Sequence, residues 1–523
     1  MTQKHLLSTE QDIAANPTEN IWVQANAGTG KTSVLVQRLL RILFRSSENN
    51  TASGILCLTY TNAGASEMRN RILAELRKWA MASDEELKDL LENISANKNP
   101  TISDLQNARN IFYSYIDNPD ILKIKTIHGF CEEILHRFPL EAGISPAWNL
   151  VSDSNQKILL SDAFHRLINS PIDRNSGNIS EAFARIVERI SEHSFDELLG
   201  TLSGQYKTFF GIDDISKYRH YFIDTTRYFL ELENPIETDV DVKTLQKIVL
   251  DTENDISSSK KPAGYLLDII NLTKQYIDKT INFEEYKTAY LTDDDSKRVN
   301  VSKKDYLVKE QERVHKLNQK MIDQKIFDDT VALFDLSVAF TTMYKNIKAE
   351  RNALDFDDLI LFTKKLFSKP DVMGWILSQL DMSLGHILVD EAQDTSPEQW
   401  EILKLLSGDF FTDGDTENKP HSLFVVGDTK QSIYGFQGAD PLAFANSKDE
   451  IASQIRQNLR TIREVPLVQS FRSTAPILRV VDNFFSNQNI RDISGFINNE
   501  HKCFRQKETG LVEVHKLFSK DQN

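Results

Sequence analysis

Ala25-Asn26-Ala27-Gly28-Thr29-Gly30-Lys31-Thr32 follows the β-rich run Ile21-Trp22-Val23 and opens the apolar-periodic stretch Val34, Leu35, Leu39, Leu40. Strand, small-residue turn and helix in that order are the context of a phosphate-binding loop. Small residues let backbone N–H groups curl around a phosphate, and the helix N-terminus adds a favourable dipole. In such a loop Lys31 reaches the β- and γ-phosphates and the Thr32 hydroxyl sits on Mg²⁺. The pattern departs from G-x-x-x-x-G-K-S/T at its first position, where Ala25 replaces Gly. Taken alone, the same residues also read as a turn with an exposed lysine.

A second stretch completes the chemistry. Ile387-Leu388-Val389-Asp390-Glu391-Ala392-Gln393-Asp394 places two carboxylates at the end of an apolar run, the edge where open α/β sheets bind ligands. Asp390 is positioned to hold Mg²⁺ through water, and Glu391 to orient and deprotonate an attacking water. The competing reading is a helix start rich in acidic caps, with Pro397 in its first turn.

Working outward, two blocks read as α/β. The first spans Ile21 to about Phe138 and includes Ile55-Leu56-Cys57-Leu58. The second spans about Leu354 to Phe444 and includes His386–Val389 and Ser422–Val426. Continuous apolar runs alternating with helices predict a parallel sheet covered on both faces. Between them helical periodicity dominates, with a charged segment near 290–305 expected to be mobile. The expected organisation is a first motor domain from 1–150 and 351–450, a helical insertion at 151–350, and a second motor domain beginning at 451–523. Leu511-Val512-Glu513-Val514 is a weak strand signal near the end.

Composition sets broad limits. With 523 residues, 40% of them hydrophobic and 26% charged, the chain is of globular type and long enough for roughly three domains. No apolar run approaches the ~20 residues of a membrane-spanning helix, and the first residues lack the core of a signal peptide. Cys57, Cys131 and Cys503 are far apart, which argues against a disulfide framework and for a cytoplasmic setting. A net charge of −15 does not exclude nucleic acid, because binding depends on a local groove rather than the total.

Six segments, in this order, resemble the UvrD-like superfamily 1 DNA helicases: Ala25–Thr32, Leu58–Met68, Thr126–Cys131, Val389–Asp394, Val426–Asp440 and Ser470–Thr474. Phe138–Gly143 and the wording Lys430-Gln431-Ser432-Ile433-Tyr434-Gly435-Phe436-Gln437-Gly438-Ala439-Asp440 are most similar to the AddA/RecB branch, the motor subunits of ATP-dependent helicase–nucleases. Gly64 stands where Ala or Lys is usual, and Ser33 where many members carry Arg.

The resemblance implies a P-loop NTPase (RecA-like) fold, ATP and Mg²⁺ as cofactors, and 3′→5′ helicase or translocase activity in double-strand break repair. It implies that Gln11 reads adenine and Phe471 stacks on it, that Ala25 to Thr32 hold the phosphates, and that Thr32 and Asp390 hold Mg²⁺. Glu391 would activate water, Gln431 would sense the γ-phosphate and Arg472 would clamp it. Weaker adenine contacts are expected from Ser33. Tyr60, His128, Tyr434 and Phe436 match positions that touch single-stranded DNA, where stacking is tolerant of sequence. Without the motifs, these aromatics and His128 read equally as core or capping residues.

The Asp355-Phe356-Asp357-Asp358-Leu359 cluster is read as a helix start rather than a metal site. The implied partners are single- and double-stranded DNA and an AddB-like protein, with no membrane. Nothing after Thr474 resembles the two later helicase motifs or a nuclease, so an N-terminal portion of a longer helicase–nuclease is expected. A non-catalytic ATP- and DNA-binding remnant and an unrelated P-loop ATPase remain the alternatives.

Overall fold

A computed structural model of the chain describes residues 8–48, 54–92, 94, 99–119, 122–169, 177–189, 192–204, 206–212, 214–232, 241–258, 264–301, 304–379, 384–412, 421–432, 440–490 and 501–515. The chain forms two compact units: Met1–Val151 with Asn352–Asn523, and Ser152–Arg351.

The first unit is built on a wholly parallel six-stranded sheet of β1 (Asn20–Ala25), β2 (Gly54–Thr59), β3 (Leu122–Thr126), β4 (Leu384–Val389), β5 (Ser422–Gly427) and β6 (Ile462–Leu467). Their spatial order is β3-β2-β4-β5-β1-β6. Alternate residues point to opposite faces. Trp22, Leu56, Leu58, Ile387, Val389 and Val425 enter one core, and Ile21, Val23, Cys57, Leu388, Phe424 and Val426 the other. Two buried faces explain why the central strands read as unbroken apolar runs.

Helices α1 (Thr9–Ala14), α2 (Lys31–Glu48), α3 (Asn62–Met81), α4 (Ile127–Arg137), α5 (Phe356–Phe367), α6 (Pro397–Thr412), α7 (Pro441–Gln457) and α8 (Ala475–Ser486) accompany the sheet. Leu35 and Leu39 of α2 and Met68 and Ile72 of α3 pack on the second core. The first core takes Phe130 of α4, Leu359 of α5, Trp400 of α6 and Phe444 of α7. Trp22 stacks on Trp400 at 5.7 Å between ring centroids and meets Phe444 at 4.9 Å.

Two features differ from expectation. Strand β6 joins the first sheet, pairing with β1 from Asn20↔Ile462 to Ala25↔Leu467. The sheet therefore runs past the expected boundary at 451, because Val465 and Leu467 are buried in the core behind Val23. Leu511–Val514 forms no strand, and Leu511 and Val514 lie exposed, since among the described residues no partner strand flanks them.

The helical unit contains the 46-residue helix Asp305–Glu350. Arg219 donates to both Asp335 oxygens at 2.6 and 2.7 Å, and Phe222 stacks on Phe334 at 4.4 Å. The charged segment near 290–301 is a hydrogen-bonded turn rather than a loose loop. Thr292 N–H donates to Ser296 C=O at 2.8 Å, and buried Tyr290, Leu291 and Val301 bracket the charges. No described helix is long and apolar enough to cross a membrane.

Candidate active site

Strands β1, β4 and β5 are neighbours, so the turns that follow them meet at the carboxyl edge of the sheet. After β1, the loop from Ala25 turns sharply at Gly28 (φ +76°) and Gly30 (φ +83°), conformations that favour glycine. Ala25, Asn26 and Thr29 are buried and Ala27 is exposed. Lys31 opens α2, with half-buried Thr32 beside it. A side-chain carbon on Gly30 would stand 3.0 Å from Gln11 Nε2, and one on Gly28 would collide with Arg472 Cβ at 2.5 Å.

Gln11 reaches this loop from α1. Its Nε2 donates to Thr29 C=O at 3.0 Å, and its Oε1 accepts from Ser8 N–H at 3.0 Å in a capping box. One N–H and one lone pair of the amide stay available for a base edge.

After β4, Asp390 and Glu391 follow directly. Asp390 N–H continues the sheet by donating to Leu58 C=O at 2.9 Å. Glu391 adopts the left-handed region (φ 49°, ψ 42°), a backbone state costing about 1–3 kcal/mol outside glycine. The turn brings Glu391 Oε2 to 2.9 Å from the Lys31 ammonium. Asp390 is 9% exposed and accepts Glu391 N–H at 3.0 Å. Burial, then the Glu391 charge, push its carboxyl up to about 6, against the pull of Lys31. Burial acts on Glu391 in the same sense, but Lys31 and Gln393 outweigh it and hold that carboxyl below its usual value.

Gln393 was not singled out from sequence, yet it organises this edge. It is 1% exposed. Its Nε2 donates to Glu391 Oε2 at 2.8 Å and Asp394 Oδ2 at 3.1 Å, while its Oε1 accepts from Asp428 N–H at 2.8 Å. Asp428 in turn accepts from the Gln431 side chain and from Lys430 N–H. A hydrogen-bonded chain thus runs from Lys31 through Glu391, Gln393 and Asp428 to Gln431. The only sequence signal was the glutamine inside D-E-x-Q-D.

Arg472 and Phe471 lie against the phosphate loop. Phe471 N–H donates to Gly28 C=O at 2.8 Å, and its ring packs on Phe504 at 5.0 Å. Arg472 is exposed. Tyr60 and His128 share the same sheet edge, after β2 and in the first turn of α4. His128 meets the ring of Phe356 edge-on at 5.5 Å. Phe356, 41% exposed, is a second aromatic that sequence reading passed over. Its neighbours Asp355 and Asp358 form the capping box of α5. Tyr434 and Phe436 lie outside the described residues.

The residues fit a magnesium polyphosphate. The loop has the glycine cradle, and buried Asp390, with its carboxyl pushed up, favours a nearby cation. No group of three or more His, Cys, Asp or Glu forms a protein cage among the described residues. Mg²⁺ is ordinarily held by one or two carboxylates plus phosphate oxygens and water, so no cage is needed.

Residues 7–452 match the UvrD/REP helicase N-terminal domain. The chain is similar to the ATP-dependent helicase/nuclease protein AddA of Natranaerobius thermophilus, with 25% identity over 95% of this chain and 39% of that protein. The protein of the same name from Clostridium kluyveri is 24% identical over 98% and 42%. That of Listeria welshimeri is 27% identical over 89% and 38%. The chain spans about two fifths of the length of these relatives.

Proposed function

The chain belongs to the UvrD/REP helicase family, and on that premise we propose that it is an ATP-driven DNA motor of double-strand break repair. It moves 3′→5′ on single-stranded DNA and opens duplex DNA ahead of it. Likeness to the AddA proteins supports work beside an AddB-like partner in the cytoplasm. The observation that carries the reading is the contact of Lys31 with Glu391, which joins the phosphate loop to the carboxylates after β4.

In this reading the loop from Ala25 to Thr32 holds the ATP phosphates, and Thr32 and Asp390 hold Mg²⁺. Bound Mg²⁺ screens phosphate charge. Gln11 uses its remaining donor and acceptor on adenine, with Phe471 stacking on the ring. Lys31 turns from Glu391 to the phosphates, which leaves Glu391 to Gln393 and free to take a proton from water. Gln431 reads the γ-phosphate, and Arg472 supplies a planar cation beside the loop for charge developing there. Tyr60, His128, Tyr434 and Phe436 form the DNA track.

Phosphate release by residues 1–523 with and without single-stranded DNA tests the reading. DNA should stimulate hydrolysis, and Glu391→Gln should lower it by about 10²–10⁴-fold. Hydrolysis indifferent to DNA, or unchanged in Glu391→Gln, would contradict it.

A further inference from the structure

We propose that Lys430 is a second cation of the phosphate site, which leaves Asn26 to bind the terminal phosphate of a nucleoside triphosphate. The inference rests on the ATP-site reading above and adds a residue to it.

Lys430 lies in the short helix Thr429–Gln431 after β5. Its Nζ donates to Asn26 Oδ1 at 3.2 Å, inside the phosphate loop, and stands 5.7 Å from the centre of the Phe485 ring. Both neighbouring carboxylates are engaged elsewhere. Asp428 accepts from Lys430's own N–H and from the Gln431 side chain. Asp482 is bonded through both oxygens to His501. Among the described residues Lys430 therefore makes no ion pair. A half-buried ammonium held by one neutral oxygen and a ring face is poorly compensated. Burial correspondingly lowers its proton affinity, against the pull of Asp428 and Asp482.

Such a cation favours an arriving anion. Its long stem lets it swing without backbone change, and its link to Asn26 aims it at the loop. Charge balance points the same way. Asp390, Glu391, Asp394 and Asp428 crowd this edge, and a triphosphate adds more negative charge than Lys31 alone offsets. DNA phosphate is the competing anion, but the hydrogen bond to Asn26 ties Lys430 to the nucleotide side.

The test compares wild type, Lys430→Met and Lys430→Arg for binding of a non-hydrolysable ATP analogue, ADP and a single-stranded oligonucleotide, each with Mg²⁺. Lys430→Met should weaken the triphosphate about 10- to 100-fold, the loss of one charged hydrogen bond. ADP affinity should change less than about threefold, which also reports a folded loop, and DNA affinity should hold. Lys430→Arg, keeping the charge, should lose less. Equal loss for ADP and the triphosphate would make Lys430 a structural prop and overturn the inference. So would no loss, or loss for DNA alone. Failure of wild type to bind either nucleotide would instead overturn the ATP-site reading, and this inference with it.

Discussion

The Lys31 ammonium and a Glu391 carboxylate oxygen stand 2.9 Å apart across 360 positions of sequence. The lysine that must meet phosphate is held by the carboxylate that must accept a proton. Nucleotide and Glu391 therefore compete for one cation, and each is available to its task only when the lysine has changed partners.

Glu391→Gln should accordingly separate binding from turnover. Hydrolysis falls, while ATP binding tightens about two- to fivefold, the scale of a partly exposed ion pair given up. Glu391 is 42% exposed in its side chain, which keeps the expected gain small. Equilibrium titration with a fluorescent ATP analogue checks this, and weaker binding in the variant would refute the competition.

Gln393→Leu should lower turnover about tenfold or more with little change in nucleotide affinity. The amide positions Glu391 and Asp428 but makes no contact with the phosphate loop itself. Steady-state kinetics paired with direct binding decide it. Loss of affinity equal to the loss of rate would mean that Gln393 supports the whole site rather than Glu391.

Tyr60→Ala should cost about 1–3 kcal/mol of single-stranded DNA affinity if its ring stacks on a base. His128→Ala and Phe356→Ala should show a non-additive double mutant, because the rings meet at 5.5 Å. Fluorescence anisotropy with a labelled oligonucleotide measures both, and unchanged affinity in Tyr60→Ala would remove that residue from the DNA track.

At the amino-terminal edge of the sheet, Arg38 is fully buried and donates to Ala14 C=O, Glu19 C=O and Ser422 Oγ. His386 Nδ1 lies 2.7 Å from the same hydroxyl. Burial, then the charges of Arg38, His421 and Arg45, lower the His386 pKa from 6.5 to about 3. The folded protein therefore keeps His386 neutral where the unfolded chain takes up a proton. Stability should fall as pH drops from about 6.5 towards 3, by about 2 kcal/mol between pH 7 and 5 from this residue. Denaturation of wild type and His386→Gln at both pH values isolates the contribution, and parallel pH dependence would refute it.

The central strands were legible because burial on both faces leaves unbroken apolar runs such as Ser422–Val426. The edge strands were harder to read. Leu122–Thr126 alternates buried and half-buried residues, and Ile462–Leu467 carries Arg463, Glu464 and Pro466 on an edge whose outer side is unpaired among the described residues. Charge misled at 290–305, where a few apolar anchors outweigh many solvated side chains. Motif spacing located Lys31, Asp390 and Glu391. The parts played by Gln393 and Lys430 depend on which turns meet at the sheet edge, which only the strand order reveals.

The account stands most directly on Mg·ATP binding by residues 1–523, measured by calorimetry for wild type and Lys31→Ala. It predicts saturable, Mg²⁺-dependent binding by the wild type, weakened about 100-fold or more in Lys31→Ala as the phosphates lose their principal cation. Wild-type protein that binds no Mg·ATP, or Lys31→Ala that binds it equally well, would contradict the account.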